Sequence, residues 1–386
     1  MNTIGFIPLR KGSKGIPGKN KRKMVGRPLF CWVLAEAIAS NLDKVYVYTD
    51  DDDISRFIGR EYHWTDKVEV LDRSPDSASN TASTEQAMLE FCEKVKYNFD
   101  IFCLLQATSP FTTSAEINAV LAKIKEDGHD SALSVVKTHR FVWNADGTPA
   151  NYDVFDRPRR QEFEGLLIEN GAIYASTQKA LKASKNRLSG NIGLVEMSSE
   201  SYTEIDDEQD WLVAEQLLMQ RQRRQKEQDR ITHLVLDVDG VFTDGCIWYD
   251  ANGEMAKKFD MRDGMGLEIL RQHAVDVMVM TSEQSEIVVQ RMKKLKIGNV
   301  YLGVKDKYAL LHNIVSKNKG SLANIAYIGD DVNDLANICS VGWSFCPKNA
   351  TTAVKQQADV VLSKDSAAGA IREACEFILK YNLRYE

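Results

Sequence analysis

Residues 3–20 read TIGFIPLRKGSKGIPGKN, an apolar, partly β-branched run at 3–9 that opens directly into a loop holding Gly12, Gly15 and Gly18 among Arg10, Lys11, Lys14 and Lys19. A strand that ends in a glycine-rich basic turn predicts an α/β unit with an anion site at the turn, because successive backbone N–H groups can point into one concavity there. The same alternation continues outward. KVYVYT (44–49), DIFCLLQ (100–106) and SALSVV (131–136) read as further strands, with PLFCWVLAEAIA (28–39) and STEQAMLEFCEKV (83–95) as helices between them. It returns in the second half, where HLVLDVD (233–239), VDVMVMTS (275–282) and NIAYIGDD (324–331) alternate with EIVVQRMKKLK (286–296) and KYALLHNIVSKN (307–318). Both halves are predicted to be α/β.

The 386 residues exceed one ordinary domain of about 100–150 residues, so two domains are expected. The divide falls after DWLVAEQLLMQRQRRQKEQDR (210–230), which starts as an amphipathic helix and has no apolar residue from Arg221 to Arg230. That run is read as a linker between domains 1–226 and 227–386, and its basic cluster as a solvated helix end rather than a phosphate patch. Lys and Arg number 49 against 55 Asp and Glu, a net charge of −6 that argues against a protein coating nucleic acid or an anionic membrane. No stretch approaches the roughly 18 apolar residues of a membrane span. The seven cysteines are scattered and form no C-x-x-C pair, which predicts reduced, buried thiols and a cytoplasmic protein.

In the first loop the glycines permit positive φ, while Arg10, Lys14 and Lys19 supply charge where a triphosphate would lie. The P-loop pattern G-x-x-x-x-G-K-[ST] is not met, since Gly18-Lys19 is followed by Asn20. Four later segments accompany this loop: Leu71-Asp72-Arg73 with Asn80 to Thr84, Leu104 to Pro110 (LLQATSP), Arg157 to Gln161 running on to Glu169-Asn170-Gly171-Ala172, and Glu204-Ile205-Asp206 with Asp210-Trp211. Together, over roughly residues 1–220, they resemble the N-acylneuraminate cytidylyltransferases. The resemblance implies a nucleotidyltransferase-type, Rossmann-like mixed sheet and a reaction between CTP and a nonulosonic (sialic) acid. It implies that Arg10, Gly12, Ser13, Lys14, Lys19, Asn20, Arg73, Ala82 and Thr84 hold the nucleotide, Arg10 and Lys19 also acting in catalysis, and that Gln106 and Arg160 contact the sugar. Asp206 matches the family's Mg²⁺ carboxylate, and Glu204 stands, one methylene longer, where the family has Asp.

The chemistry suits these residue types. Attack by the anomeric 2-hydroxyl on the α-phosphorus of CTP expels pyrophosphate, and the charge that spreads over phosphate oxygens calls for cations and Mg²⁺. Asp50 to Asp53 read as a helix cap rather than a metal site, Trp64 and Trp143 as packing residues. His139 and Arg140 follow a strand end, either as an ordinary polar loop or as lining of the sugar pocket.

In the second half, Leu236 to Gly245 (LDVDGVFTDG) place Asp237 and Asp239 at i and i+2 where a strand ends. With Thr281, Lys307 and Gly329-Asp330-Asp331-Val332-Asn333-Asp334 in order, the segment resembles the haloacid dehalogenase (HAD) phosphatases. The resemblance implies Asp237 as nucleophile, Asp239 as acid/base, Thr281 and Lys307 as phosphate ligands, and Mg²⁺ on Asp237, Asp330 and the carbonyl of Asp239. Only about forty residues separate Asp239 from Thr281, and Cys246 to Phe259 reads as a hairpin turning at Asn252-Gly253, so a parallel Rossmannoid sheet without a cap domain is expected. Phe259 to Gly266 (FDMRDGMG) resembles the capless 3-deoxy-octulosonate 8-phosphate phosphatases, which implies a homotetramer through this domain. Glu283 after Thr281-Ser282 resembles the nonulosonate 9-phosphate phosphatases and implies a sugar contact. A sugar phosphate at this site is the leading expectation, and a purely tetramerising second domain the rival; a third reading gives the first domain another nonulosonic acid, such as the deaminated analogue, or the octulosonate.

Overall fold

A computed structural model of the chain describes every residue except Lys14, Asn80 and Glu386. The chain divides into two compact units, Met1–Arg22 with Pro28–Ala214 and Lys23–Arg27 with Glu215–Glu386.

The first unit is built on a sheet of seven strands: β1 (Thr3–Leu9), β2 (Lys44–Thr49), β3 (Val68–Asp72), β4 (Ile101–Leu105), β5 (Ser131–Thr138), β6 (Leu166–Thr177) and β7 (Ile192–Met197), in the order β3-β2-β1-β4-β6-β5-β7. β1 pairs in parallel with β2 and β4, whereas β6 runs antiparallel to β4 and β5, so the sheet is mixed as expected. β1 and β4 are buried almost throughout, which is why both read as unbroken apolar runs rather than alternating ones. Phe6 on β1 lies 4.7 Å from Phe91 and 5.3 Å from Phe102, the centre of an aromatic core beneath helix α3 (Thr84–Lys94). The helices before it are α1 (Leu29–Ala39) and α2 (Asp52–Glu61); those after it are α4 (Ser114–Lys125), α5 (Gln178–Ser184) and the first part of α6 (Glu208–Arg224), whose residues from Glu215 belong to the second unit. Asp51 caps α2 by accepting from the Asp53 N–H and pairs with Lys21 at 2.9 Å, which bears out the cap reading of that acidic run. Trp64 packs 5.5 Å from Tyr62, and Trp143, half exposed, stands edge-on to Tyr152.

On α3, Glu90 accepts from Tyr48 Oη and Ser74 Oγ and pairs with Lys94. Burial opposes its ionisation, yet the hydrogen bonds from Ser77, Tyr48 and Ser74 prevail and hold the carboxyl down at about 2. A folded-state value below the unfolded one stabilises the fold above the ordinary glutamate range, and that stability is lost as pH falls towards 2. Glu90→Gln is therefore expected to cost about 1–3 kcal/mol at pH 7 and to make the loss of stability between pH 5 and 2 shallower, read by denaturant unfolding across that range.

The second unit carries a sheet of six strands, all parallel: β8 (His233–Leu236), β11 (Asp276–Met280), β12 (Asn299–Tyr301), β13 (Ile325–Ile328), β14 (Trp343–Cys346) and β15 (Val360–Val361), in the order β12-β11-β8-β13-β14-β15. β9 (Thr243–Asp250) and β10 (Gly253–Phe259) form the expected hairpin, with Gly253 at φ +119° in its turn. Between that hairpin and β11 there is only α7 (Met261–Gln272), so no cap domain intervenes among the described residues. The remaining helices are α8 (Glu286–Lys294), α9 (Lys307–Lys317), α10 (Leu335–Ser340), α11 (Thr352–Gln357) and α12 (Ala370–Asn382). No described helix is long and apolar enough to cross a membrane.

Candidate active sites

In the first unit the loop after β1 folds back through a turn at 16–19, closed by Lys19 N to Ile16 O at 3.1 Å with Gly18 at φ +64°. Gly15 has a steric reason: a Cβ there would stand 2.0 Å from the carbonyl oxygen of Asp206, so only glycine lets the loop approach the 204–206 segment. Lys19 fastens the two together, donating to Ile205 O at 2.5 Å and lying 3.7 Å from Asp206 Oδ1.

A cleft of about 360 Å³ gathers Arg10, Gly12, Ser13, Lys19 and Asn20 from this loop and Arg73, Ala82 and Thr84 from the segment before α3. Of the residues expected at the nucleotide, Lys14 alone lies outside the described residues. Gln106 and Thr108, at the end of β4, line this cleft and also a second one of about 270 Å³, in which Glu204 and Asp206 face Asn170 and Arg187. The cationic cleft and the two carboxylates thus meet at Gln106. Asp206 is largely exposed, with its carboxylate 3.7 Å from Lys19 and its backbone N–H donating to Asp210 Oδ2. Magnesium is commonly held by one or two carboxylates together with substrate phosphates, and Glu204 with Asp206 fits that pattern. Arg160 does not join Gln106: it lines a separate cavity of about 590 Å³ with Lys137, His139 and Arg140. Arg187, which no sequence pattern pointed to, lines the second cleft and pairs with Glu85.

In the second unit the parallel strands deliver four segments to one end of the sheet. Asp237 follows β8, Thr281 follows β11, Lys307 opens α9 and Asp330 to Asp334 follow β13. Lys307 is completely buried, with its ammonium 2.8 Å from Asp237 Oδ2 and 2.8 Å from Asp334 Oδ1. Carboxylate oxygens of Asp237, Asp330 and Asp334 lie within 4.8 Å of one another. Asp334, not singled out in the sequence beyond its place in the GDDVND run, also accepts from Tyr327 Oη at 2.7 Å and from the Asp330 N–H at 3.1 Å. The approach is tight enough that a Cβ on Gly240, at φ +88°, would stand 2.0 Å from Asp330 Oδ2. Thr281 is buried, and its hydroxyl accepts from the Glu283 N–H, while Glu283 itself is exposed. Asn333 donates to Ser282, joining the 281–283 and 330–334 loops.

Fully ionised, three carboxylates around one ammonium would carry an excess of two negative charges in a buried site. Burial, followed by the charge of Asp334, pushes Asp237 up to about 7 against the pull of Lys307, and burial with Asp334 and Asp237 pushes Asp330 up to about 8. Although burial works against it, Lys307 is held above the usual lysine range by Asp237 and Asp334. Asp330 Oδ1 is buried without a hydrogen-bond partner. Charge excess, all-oxygen donors and an orphaned carboxylate oxygen fit a hard divalent cation, which Asp237 and Asp330 would hold.

A cytidylyltransferase family profile matches residues 4–231 and a haloacid dehalogenase-like hydrolase profile matches residues 277–374. Among curated proteins, N-acylneuraminate cytidylyltransferase B of Danio rerio is 33% identical over 385 residues, 97% of this chain and 89% of the relative. A 3-deoxy-D-manno-octulosonate 8-phosphate phosphatase of Haemophilus influenzae is 36% identical over 156 residues, 40% of this chain and 87% of the relative. Among solved structures, the phosphatase of that name from Moraxella catarrhalis, in complex with magnesium, phosphate and its octulosonate, is 31% identical over 44% of this chain and 94% of that one, with a TM-score of 0.39. With a family profile over more than half its length and a full-length relative beside it, the chain belongs to the N-acylneuraminate cytidylyltransferase family, as an enzyme that also carries a haloacid dehalogenase-type phosphatase domain.

Proposed function

We propose that residues 1–226 couple an N-acylneuraminate to CTP, forming the CMP-sugar and pyrophosphate, and that residues 227–386 release phosphate from a nonulosonate 9-phosphate to supply that sugar. The observation that carries the reading is the presence in one chain of two separate built sites, the cationic cleft meeting Glu204 and Asp206, and the Asp237, Lys307, Asp330 and Asp334 cluster.

At the first site, Arg10 and Lys19 are the cations that neutralise the triphosphate, Gln106 lies where the sugar meets the nucleotide, and Asp206 with Glu204 would hold Mg²⁺. Bound there, the ion supplies charge neutralisation at the phosphate and acidifies the attacking hydroxyl. The loop from Lys11 to Asn20, which resembles the acylneuraminate enzymes, supports an acylneuraminate as the sugar. Arg160, with Lys137, His139 and Arg140, offers a cationic patch suited to a sugar carboxylate.

At the second site, Asp237 is placed by Lys307 to attack phosphorus, Thr281 and Lys307 hold the phosphate oxygens, and Asp239 gives a proton to the leaving alkoxide. Glu283, exposed beside Thr281, supports a nine-carbon sugar. Trp248, Tyr249, Met255, Met261 and Met265 are exposed large apolar side chains on the hairpin and α7, which supports a homotetramer through this unit. None of the seven cysteines is in a disulfide, which supports a reducing, cytoplasmic setting, although Cys246 is exposed rather than buried as expected.

The test is to incubate the full chain with Mg²⁺ and N-acetylneuraminate 9-phosphate, with and without CTP. Phosphate released without CTP, and CMP-sugar formed once CTP is added, is the expected result. CMP-sugar from the free acid with no phosphate from the 9-phosphate would sink the second half of the proposal and leave that unit an assembly role or another substrate.

A further inference from the structure

Lys257, on β10 of the hairpin, has a fully buried side chain whose ammonium lies 2.8 Å from Asp239 Oδ1 and 3.1 Å from Glu254 Oε1. An ammonium taken out of water to this degree is tolerated only where it is paired. Glu254 is itself anchored, accepting a hydrogen bond from Ser285 Oγ at the start of α8. Thr243 Oγ1 stands 3.3 Å from the same Asp239 oxygen. One oxygen of Asp239 is therefore pinned from two sides, while the other, Oδ2, is buried and has no hydrogen-bond partner.

This asymmetry bears on proton transfer. A donor must meet the leaving oxygen at about 2.6–3.2 Å, and a carboxyl free to turn about its two side-chain bonds spends little time there. With an N–H already directed at Oδ1, a proton carried by this carboxyl belongs on Oδ2. We propose that Lys257 is a positioning residue for Asp239, fixing Oδ1 so that Oδ2 hands its proton to the leaving alkoxide. The inference rests on the phosphatase reading above. In the step concerned, a bond forms between an Asp237 carboxylate oxygen and phosphorus, the bond from phosphorus to the leaving oxygen breaks, and that oxygen takes the Oδ2 proton. No oxidant or further reactant is needed.

The test compares leaving groups. Nitrophenolate departs from p-nitrophenyl phosphate without needing a proton, whereas a sugar alkoxide does not, and kcat/KM covers the steps up to and including that departure. The full chain and Lys257→Met are assayed on the aryl phosphate and on whichever of N-acetylneuraminate 9-phosphate and 3-deoxy-octulosonate 8-phosphate the unaltered chain hydrolyses faster. Lys257→Met is expected to lower kcat/KM about 10²-fold for the sugar phosphate and no more than about threefold for the aryl phosphate, with Lys257→Arg recovering most of the difference. Equal losses on both substrates, or none on the sugar phosphate, would overturn the proposal. If Lys257→Met does not fold, Glu254→Gln, which removes the second anchor of the ammonium, is read on the same pair of substrates. A split of about tenfold in the same direction supports the proposal and an even loss overturns it. An unaltered chain inactive on every substrate would overturn the phosphatase reading, and the role of Lys257 with it; an unaltered chain that is active while its variants show no split overturns the positioning role alone.

Discussion

Asp237→Asn in the full chain is expected to reduce phosphate release by about 10⁴-fold or more while leaving CMP-sugar synthesis from the free acid within about twofold. The substitution keeps the size of the side chain and removes its nucleophilic charge. The amide still reaches Lys307, but it neither attacks phosphorus at a useful rate nor offers a dication the same charge. Stability should move the other way. Burial holds the Asp237 carboxyl up at about 7 in the ion-free fold. A folded value above the unfolded one means that ionisation weakens the fold, and increasingly so as pH rises from 4 towards 8. The Asn variant escapes that cost. Without added metal at pH 8 its second unit should melt no lower than the unaltered chain, and added Mg²⁺ should raise its melting temperature less. A variant that loses phosphatase activity because it has unfolded would show the opposite, a melting temperature well below the parent's at pH 8 without metal.

The two sites differ in how much of them a reader of the sequence can see. The glycines after β1 and the Asp237 to Gly240 run after β8 were legible because each stands out where a strand ends, although the need for Gly15 and Gly240 comes from distant residues, Asp206 and Asp330. Residues brought in by tertiary packing were not. Asp334 joins the carboxylate centre because a short turn at Val332–Asp334 brings it back four residues from Asp330, and nothing in an acidic run says which member turns inward. Lys257 sits among Ala256, Lys258 and Glu254 on what reads as a solvated hairpin, yet it is the lysine whose ammonium is buried. Arg187 comes from an irregular stretch after α5.

The same contrast holds for the fold. β1, β4, β8 and β13 are buried on both faces and announce themselves as apolar runs. β6 is the longest strand, at 12 residues, yet its first half is largely exposed and interrupted by Glu169-Asn170-Gly171, so its pattern resembles a loop. The polar stretch from Arg221 begins inside α6, which continues to Arg224, because charged side chains do not end a helix when the backbone can go on bonding to itself.

The least legible feature is the five residues Lys23–Arg27, which belong to the second unit although they follow the nucleotide loop by only a few residues. Arg27 is buried and grips Asp306 with both arms, Nε to Oδ1 at 2.7 Å and Nη2 to Oδ2 at 2.9 Å, with its guanidinium 4.4 Å above the ring of Tyr308. Asp306 is the N-cap of α9, the helix that begins with Lys307. Gly26, at φ +78°, lies so close to the 330–334 loop that a Cβ would stand 1.9 Å from Val332 O. The segment therefore braces both the lysine and the carboxylate loop of the phosphatase site. Arg27→Met removes both hydrogen bonds that the guanidinium makes to the buried Asp306 carboxylate, which is expected to cost about 3–5 kcal/mol. Adding Asp306→Asn removes the buried charge that Arg27 balanced and keeps a good N-cap, so Arg27→Met with Asp306→Asn should recover at least half of that loss. Hydrogen exchange of peptides from 325–346 in the full chain measures both. Equal protection in the parent and in Arg27→Met would show that the pair contributes nothing net. The same reasoning sets the outcome of excision. A fragment beginning at 227 lacks Arg27 and its two hydrogen bonds to Asp306, so it should be less stable and less active than the second unit within the whole chain, and supplying Asp306→Asn in the fragment should restore part of its stability.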